Sequence, residues 1–545
     1  MLALVLGLAG GAFVPIGGAT AGAVTGRAGA NTTANARSAA RPNILFVLAD
    51  DLDLASLAAM PEVQALVADH GATFDDYFVS DSLCCPSRTT TLRGQYAHNT
   101  GVESNGGSNG GFRAAHRRGL ERSTIATRLQ AAGYRTGLFG KYLNGYPGNA
   151  GLRYRPPGWD TWASPVDGAP YSEYDYTLNH DGRLEQHGSA PEDYGTDVYA
   201  GLARRFVERS VAKGRPFFAY VAPFVPHLPA TPAPADVDRF PGVTAPRTPS
   251  FDQADVTAMP TLIRNLPHLS EPEIAAIDRL QQRRIESLQA LDRGVADLIG
   301  ALRSLGALRD TYVVFASDNG FHLGQHRLPA GKETPYDTDV HVPLVVRGPG
   351  IDSHRHVTDM AGNVDLAPTF AAMAGLGPLR RDDGRSLLGL LHGHAAARPR
   401  RTTLVEHWAL RHGGREPSFV PFGGMLEPTD PDQATAEDAR LHPTVIADPE
   451  PRHSSAAPLL SDSTLYAAVT KIPDYAGVRT DRYLYVEYVN GDRELYDLAT
   501  DPDEMHNLAG TRPDVEAALA ARVAALRSCR GRACRVADSA AVPGV

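Results

Sequence analysis

The chain has 545 residues, 43% hydrophobic and 21% charged, the make-up of a globular protein with a large core. Its 53 Lys and Arg against 62 Asp and Glu give a formal net charge of −9, which excludes the broad basic footprint of a nucleic-acid binder. No repeat recurs, and past the N-terminus no apolar run is long enough to span a bilayer.

Residues 1–40 differ from the rest. Met1 to Ala23 is apolar and rich in Ala, Gly and Val, and Ala19-Thr20-Ala21 offers a small-x-small cleavage pattern, so a secretory signal is expected. No Lys or Arg precedes the apolar run, which keeps an N-terminal anchor as the alternative. The four cysteines form two close pairs, Cys84/Cys85 and Cys529/Cys534. A disulfide in the second pair would suit an oxidising compartment, with two free thiols as the alternative.

Asn43 to Ala49 is a continuous apolar run, the pattern of a strand buried on both faces of a parallel sheet, and it ends in Asp50-Asp51. Ser123 to Ala132 reads as a capped amphipathic helix leading to a strand that ends near Phe139, followed by Gly140-Lys141-Tyr142. Pro216 to Val221 is a further strand, running toward His227. Glu273 to Leu305 has long helical periodicity, and Tyr312 to Ala316 is a buried strand ending in Ser317-Asp318-Asn319-Gly320. A strand at Val342 to Val346 and a helix over Leu366 to Ala374 complete a βα alternation, which predicts an α/β layered domain over residues 41–395.

Residues 396–545 have a different character and predict a smaller C-terminal α+β subdomain. Glu416 to Ser455 reads as a long surface excursion. Tyr483 to Tyr488 and Glu494 to Tyr496 flank Asn490-Gly491 as a hairpin, and Val515 to Leu526 reads as a terminal helix.

Oxygen donors recur at strand ends: Asp50, Asp51, Asp318 and Asn319. In an open sheet such ends converge on one rim, and four hard donors suit Ca²⁺ or Mg²⁺ rather than zinc or copper. Each Asp pair alone could be a turn or a helix cap. The run Cys84-Cys85-Pro86-Ser87-Arg88 reads as a cysteine, a proline that can open a helix and an anion-binding arginine in the first turn. By itself the doubled cysteine could be a metal clip, a vicinal disulfide or a redox pair.

These motifs, in this order, resemble the formylglycine-dependent (type I) sulfatases. The resemblance covers about Arg41 to Tyr496 and rests on Arg41-Pro42-Asn43-Ile44, Ala49-Asp50-Asp51, Cys84 to Arg88, Gly140-Lys141-Tyr142, Ser317 to Gly320 and Glu494 to Leu498. Within the family the chain is most similar to the N-acetylglucosamine-6-sulfatase and extracellular heparan sulfatase branch, through Cys84-Cys85, Lys141 to Asn144, Pro157-Gly158-Trp159, Tyr174 to Leu178 and His322 to Gln325.

The resemblance implies an alkaline-phosphatase-like α/β sandwich: a large mixed, mostly parallel sheet between helices, plus a C-terminal antiparallel sheet. It implies sulfate-ester hydrolysis by an exported enzyme, on an aryl sulfate or sulfated carbohydrate. Cys84 would be oxidised by a formylglycine-generating enzyme to 3-oxoalanine, whose hydrate attacks sulfur. Asp50, Asp51, Asp318, Asn319 and the converted Cys84 would hold Ca²⁺, or alternatively Mg²⁺. Asp318 would help deprotonate the hydrate, Arg88 would stabilise it, Lys141 and Lys332 would bind sulfate oxygens, and His227 would protonate the departing alcohol. His322 is a further expected substrate contact.

One position departs from many sulfatases: Leu143 stands where they carry a histidine two residues after the lysine. The base for sulfate elimination is thus unassigned, with His98, His322 or a water on Asn144 as options. Two other functions compete. One is phosphonate monoester or phosphodiester hydrolysis at the same kind of site; the other is an inactive, glycan-binding sulfatase fold.

Overall fold

The apolar runs fold as strands with every residue from Ile44 to Ala49, Phe217 to Ala222 and Thr311 to Ser317 buried. The computed structural model describes residues 41–409 and 472–543. Ten strands form one sheet: β1 (Asn43–Ala49), β2 (Ala72–Phe74), β3 (Arg135–Gly140), β4 (Thr161–Gly168), β5 (Tyr176–His180), β6 (Arg183–His187), β7 (Phe217–Ala222), β8 (Thr311–Ser317), β9 (Leu344–Arg347) and β10 (Arg355–Val357). Their spatial order is β10-β2-β9-β8-β1-β7-β3-β4-β5-β6. The central strands β8, β1, β7, β3 and β4 are mutually parallel, so their C-terminal ends share one rim.

Period-2 alternation gives the central strands two buried faces. Ile44, Phe46 and Leu48 enter one core; Leu45, Val47 and Ala49 enter the other. The principal helices are α1 (Cys84–Arg93), α2 (Ile125–Ala131), α3 (Gly195–Ala212), α4 (Glu271–Ser304), α5 (Leu366–Met373) and α6 (Pro513–Leu526). Leu92, Leu129 and Phe370 of α1, α2 and α5 cover the first face. Phe206 of α3 and Leu288, Leu291, Val295 and Leu298 of α4 cover the second. The start of α4 is fixed by a capping box between Ser270 and Glu273.

Two details differ from the expectation. The α2 cap is Thr124, whose side chain accepts from Thr127 N, while the Ser123 hydroxyl accepts from Arg93. The strand expected at 342–346 begins at Leu344 and runs antiparallel to β8, with Leu344 opposite Ala316. No long crossover helix separates β8 from β9, and without one the chain returns antiparallel from the rim where β8 ended.

At the C-terminus, β11 (Thr402–His407), β12 (Tyr475–Thr480), β13 (Tyr483–Tyr488) and β14 (Arg493–Asp497) form the expected antiparallel sheet. Its inner face, with Leu404, Val478 and Leu495, packs with Val515, Leu519 and Val523 of α6. Cys529 and Cys534 form a disulfide. The expected leader over 1–40 and the excursion over 416–455 lie outside the described residues. Among the described residues no helix is long and apolar enough to cross a membrane.

Candidate active site

Four adjacent parallel strands deliver side chains to one point on the rim. β1 ends in Asp50-Asp51, β8 in Asp318-Asn319, β3 in Lys141, and β7 runs on to His227. Asp51 adopts φ 64°, a left-handed conformation that aspartate tolerates, and its N–H donates to Asp318 Oδ1 at 3.1 Å. Gly140 precedes the lysine for a steric reason. It has φ 108°, and a Cβ there would meet the Ala222 carbonyl oxygen at 2.0 Å, while Lys141 N donates to that same oxygen at 2.7 Å. Only glycine permits this approach.

α1 begins at Cys84, so the thiol sits in the first turn of a wholly buried helix, at the positive end of its dipole, where Cys85 N donates to Asn105 Oδ1 at 2.7 Å. Pro86 is tolerated in that turn because its missing N–H costs nothing there. Lys332 Nζ lies 2.9 Å and Lys141 Nζ 3.3 Å from Cys84 Sγ, with Asp50 Oδ1 at 3.7 Å. Burial pushes the thiol well up, beyond what the two lysines recover, so the cysteine as such is neutral.

Charges are paired closely. Arg88 donates from Nε to Asp318 Oδ2 at 2.7 Å and lies 3.3 Å from Asp50 Oδ1, all three side chains being fully buried. Lys141 bonds Asp50 at 2.7 Å, and Lys332 bonds Asp51 at 2.8 Å. Burial pushes the Asp50 carboxyl up, but Lys141 and Arg88 more than reverse this and hold it at about 2. His227 Nδ1 is 2.7 Å from the Leu228 carbonyl, to which it donates, leaving Nε2 3.6 Å from Asp51 Oδ2. Burial lowers its imidazole to about 4 against the pull of Asp51 and Asp50.

The donor set fits a hard cation. Asp51 Oδ2 and Asn319 Oδ1 are buried and make no hydrogen bond among the described residues. Ligand atoms of Asp51, Cys84 and His227, and of Asp50, Cys84 and Asp318, lie within 4.8 Å of one another. Cys84 is common to both groups.

All nine residues expected around the metal and nucleophile are thus brought together. His322 is buried with Nδ1 3.0 Å from Asp339, whose other oxygen holds Thr334 N at 2.9 Å. His98 lies 2.8 Å from Glu406 and 3.0 Å from the Cys529 carbonyl, so both ring nitrogens brace the C-terminal sheet and the disulfide loop. His326 pairs with Gln253 at 2.8 Å.

A family model described as Sulfatase matches residues 42–376. The chain belongs to the sulfatase family. It is 31% identical over 509 residues to N-acetylglucosamine-6-sulfatase of Homo sapiens, covering 91% of this chain and 86% of the relative. It is 38% identical over 358 residues to an extracellular sulfatase SULF-1 homolog of Drosophila melanogaster, covering 64% of this chain. The chain spans 49% and 31% of the length of the nematode and fly extracellular sulfatases it matches.

Among solved structures, one protein in complex with its substrate D-glucosamine-2-N,6-O-disulfate has TM-score 0.68 at 20% identity, covering 92% of this chain and 99% of the other. A phosphonate monoester hydrolase of Agrobacterium radiobacter has TM-score 0.60 at 21% identity, covering 90% and 96%. These likenesses establish the alkaline-phosphatase-like fold and do not separate the two chemistries.

Sequence reasoning missed Arg284 in this sulfatase fold. Its guanidinium is wholly buried, donating to the carbonyls of Asp51 at 2.7 Å and Pro226 at 3.2 Å and to Asp53 Oδ2 at 2.9 Å. One side chain so ties the Asp51 loop to the His227 loop. The signal was present: Arg284 falls on the apolar stripe of α4, four residues after Leu280 and four before Leu288.

Proposed function

We propose that the chain is an exported sulfatase that hydrolyses sulfate esters of a carbohydrate, with 6-sulfated glucosamine as the leading substrate class. The observation that carries this reading is Cys84 Sγ at the meeting point of both donor groups and within 3.3 Å of two lysine ammoniums. Similarity to N-acetylglucosamine-6-sulfatase over most of both chains supports the substrate class, and the extracellular relatives support export. Residues 41–395 would form the catalytic part and 396–545 the C-terminal part.

A formylglycine made from Cys84 by a formylglycine-generating enzyme would supply geminal hydroxyls, one as nucleophile, and Ca²⁺ on Asp50, Asp51, Asp318 and Asn319 would supply Lewis acidity toward a sulfate oxygen. Converting the thiol also removes a soft ligand from a hard-oxygen site. The remaining steps belong to the chain's own side chains. Three carboxylates, Asp50, Asp51 and Asp318, are balanced by Arg88, Lys141 and Lys332. A divalent cation then leaves the site net positive for an anionic ester. Lys141 and Lys332 flank the nucleophile and hold sulfate oxygens as charge grows on them. Asp318 takes the nucleophile's proton. His227, with its Nδ1–H committed to Leu228, serves as the acid in its imidazolium form, which takes up a proton at Nε2 when the anionic ester binds and passes it to the departing alcohol. His322 is proposed as a contact at the pocket wall.

The test compares kcat/KM on an aryl sulfate, glucosamine 6-sulfate and an aryl phosphate diester. Dominant sulfate-ester turnover is expected. Dominant phosphodiester turnover would assign the phosphonate hydrolase chemistry instead, and turnover of none by metal-loaded, aldehyde-bearing protein would assign a binding role.

A further inference from the structure

We propose that Tyr171 is a positioning residue for this reaction, holding Lys141 and His227 in place through contacts that reach back to Cys85; the inference rests on the functional reading above. Tyr171 lies in the turn Pro170–Ser172 just beyond β4. Its ring stands 4.8 Å from Lys141 Nζ and 4.5 Å, centroid to centroid, from the His227 imidazole. Phe224, from the segment between β7 and His227, meets the same ring edge-on at 4.8 Å. One aromatic ring therefore lies against both the cation expected to hold a sulfate oxygen and the acid expected to serve the leaving group.

The hydroxyl of Tyr171 accepts from Asn144 Nδ2 at 3.0 Å. Asn144 is fixed twice by Cys85: its N–H donates to Cys85 Sγ at 3.0 Å, and Sγ lies 3.0 Å from its Oδ1. Cys85 directly follows the nucleophile position in α1. The far side of the turn is held as firmly. Glu173, at φ 66°, accepts Gly195 N at 2.9 Å on its carbonyl and Thr196 N at 2.6 Å on a side-chain oxygen, which pins residues 170–173 to the start of α3. Tyr171 is thus clamped from both ends against two groups whose aim the chemistry depends on.

The contacts differ in kind. A cation over an aromatic face is attracted by the ring quadrupole, and any six-membered aromatic supplies it, whereas the bond to Asn144 needs the hydroxyl. An ammonium confined between Asp50, Cys84 and a ring has one direction left for a substrate oxygen. Without the ring it can swing, and a misplacement near 1 Å costs about 100-fold in rate. The chain also accounts for the doubled cysteine: Cys85 orients Asn144 and, through it, the ring.

The test uses full-length, metal-loaded protein with aldehyde content at Cys84 measured by mass spectrometry and rates normalised to it. Tyr171→Leu is expected to lower kcat on an aryl sulfate by about 100-fold with little change in KM. Tyr171→Phe, which restores the ring, is expected to recover all but about 10-fold of that loss. In a Cys84→Ala background, calorimetry with inorganic sulfate should show weaker binding for Tyr171→Leu than for Tyr171→Phe. Wild-type turnover unmoved by Tyr171→Leu would overturn the inference alone, as would equal losses in both variants that track a fall in melting temperature. Failure of wild-type protein on sulfate esters would overturn the functional reading and this inference with it.

Discussion

Arg88 Nε donates to Asp318 Oδ2 at 2.7 Å, and neither side chain has any exposure to solvent. The same guanidinium reaches Asp50, so one cation sits between carboxylates from two adjacent strands. Removing it leaves Asp318 without its cation, while Asp50 keeps Lys141, and breaking such a buried pair costs about 3–5 kcal/mol. Arg88→Ala is therefore expected to lower the urea midpoint sharply and to abolish turnover. Arg88→Lys should rescue little of either, because a point charge cannot reproduce the fork. Rescue to near wild-type stability by lysine would contradict the account.

Arg284 acts at one remove. Its bonds to the carbonyls of Asp51 and Pro226 and to Asp53 hold two loops in register. Arg284→Met preserves the volume of the stem and loses those bonds. Expected is a fall in kcat of about 100-fold with the family motifs untouched, measured alongside thermal melting. Unchanged kcat would show that the loops hold their places without it.

Glu173 gives a stability profile with a definite sign. Burial raises its carboxyl to about 8, against the lowering bond from Thr196 N. The unfolded chain ionises this group near 4.5. Between these values the folded state carries the extra proton, so stability falls as pH rises and levels off above the upper value. Glu173→Gln removes the ionisation and keeps an acceptor for Thr196. Its stability should match wild type near pH 4.5 and exceed it by a few kcal/mol at pH 8.5. Parallel profiles from urea unfolding across that range would refute the assignment.

The orphaned oxygens of Asp51 and Asn319 call for a cation. Exhaustive chelation is expected to abolish turnover and lower the melting temperature, and Ca²⁺ to restore both, since ligand binding to the folded state adds stability by mass action. Asp51→Asn should lose the Ca²⁺-dependent rise in melting temperature. Full activity after chelation would remove the metal from the mechanism.

Much of this was legible in the sequence because it depends on local pattern. A strand buried on both faces needs an unbroken apolar run, and residues at the ends of parallel strands meet on a rim, so pattern groups Asp50, Asp51, Asp318 and Asn319, and the family resemblance adds Lys141. Strand direction was less legible: β9 carries the same apolar signal whether it runs parallel or antiparallel, and what decides is the missing crossover. Contacts made across the fold left weaker traces. Tyr171 lies 30 residues from Lys141 and 56 from His227, with no periodicity connecting them. His98 shows the converse, a histidine near Cys84 in sequence that the fold turns toward Glu406.

The central claim is that Cys84, rather than Cys85, becomes the nucleophile. Mass spectrometry of the peptide spanning Cys84 to Arg88, from protein made with a formylglycine-generating enzyme, tests it most directly. The account predicts an aldehyde in place of the thiol at Cys84, Cys85 still a thiol, and turnover proportional to aldehyde content. Sulfate-ester turnover by protein that carries only the unmodified Cys84 thiol would contradict it.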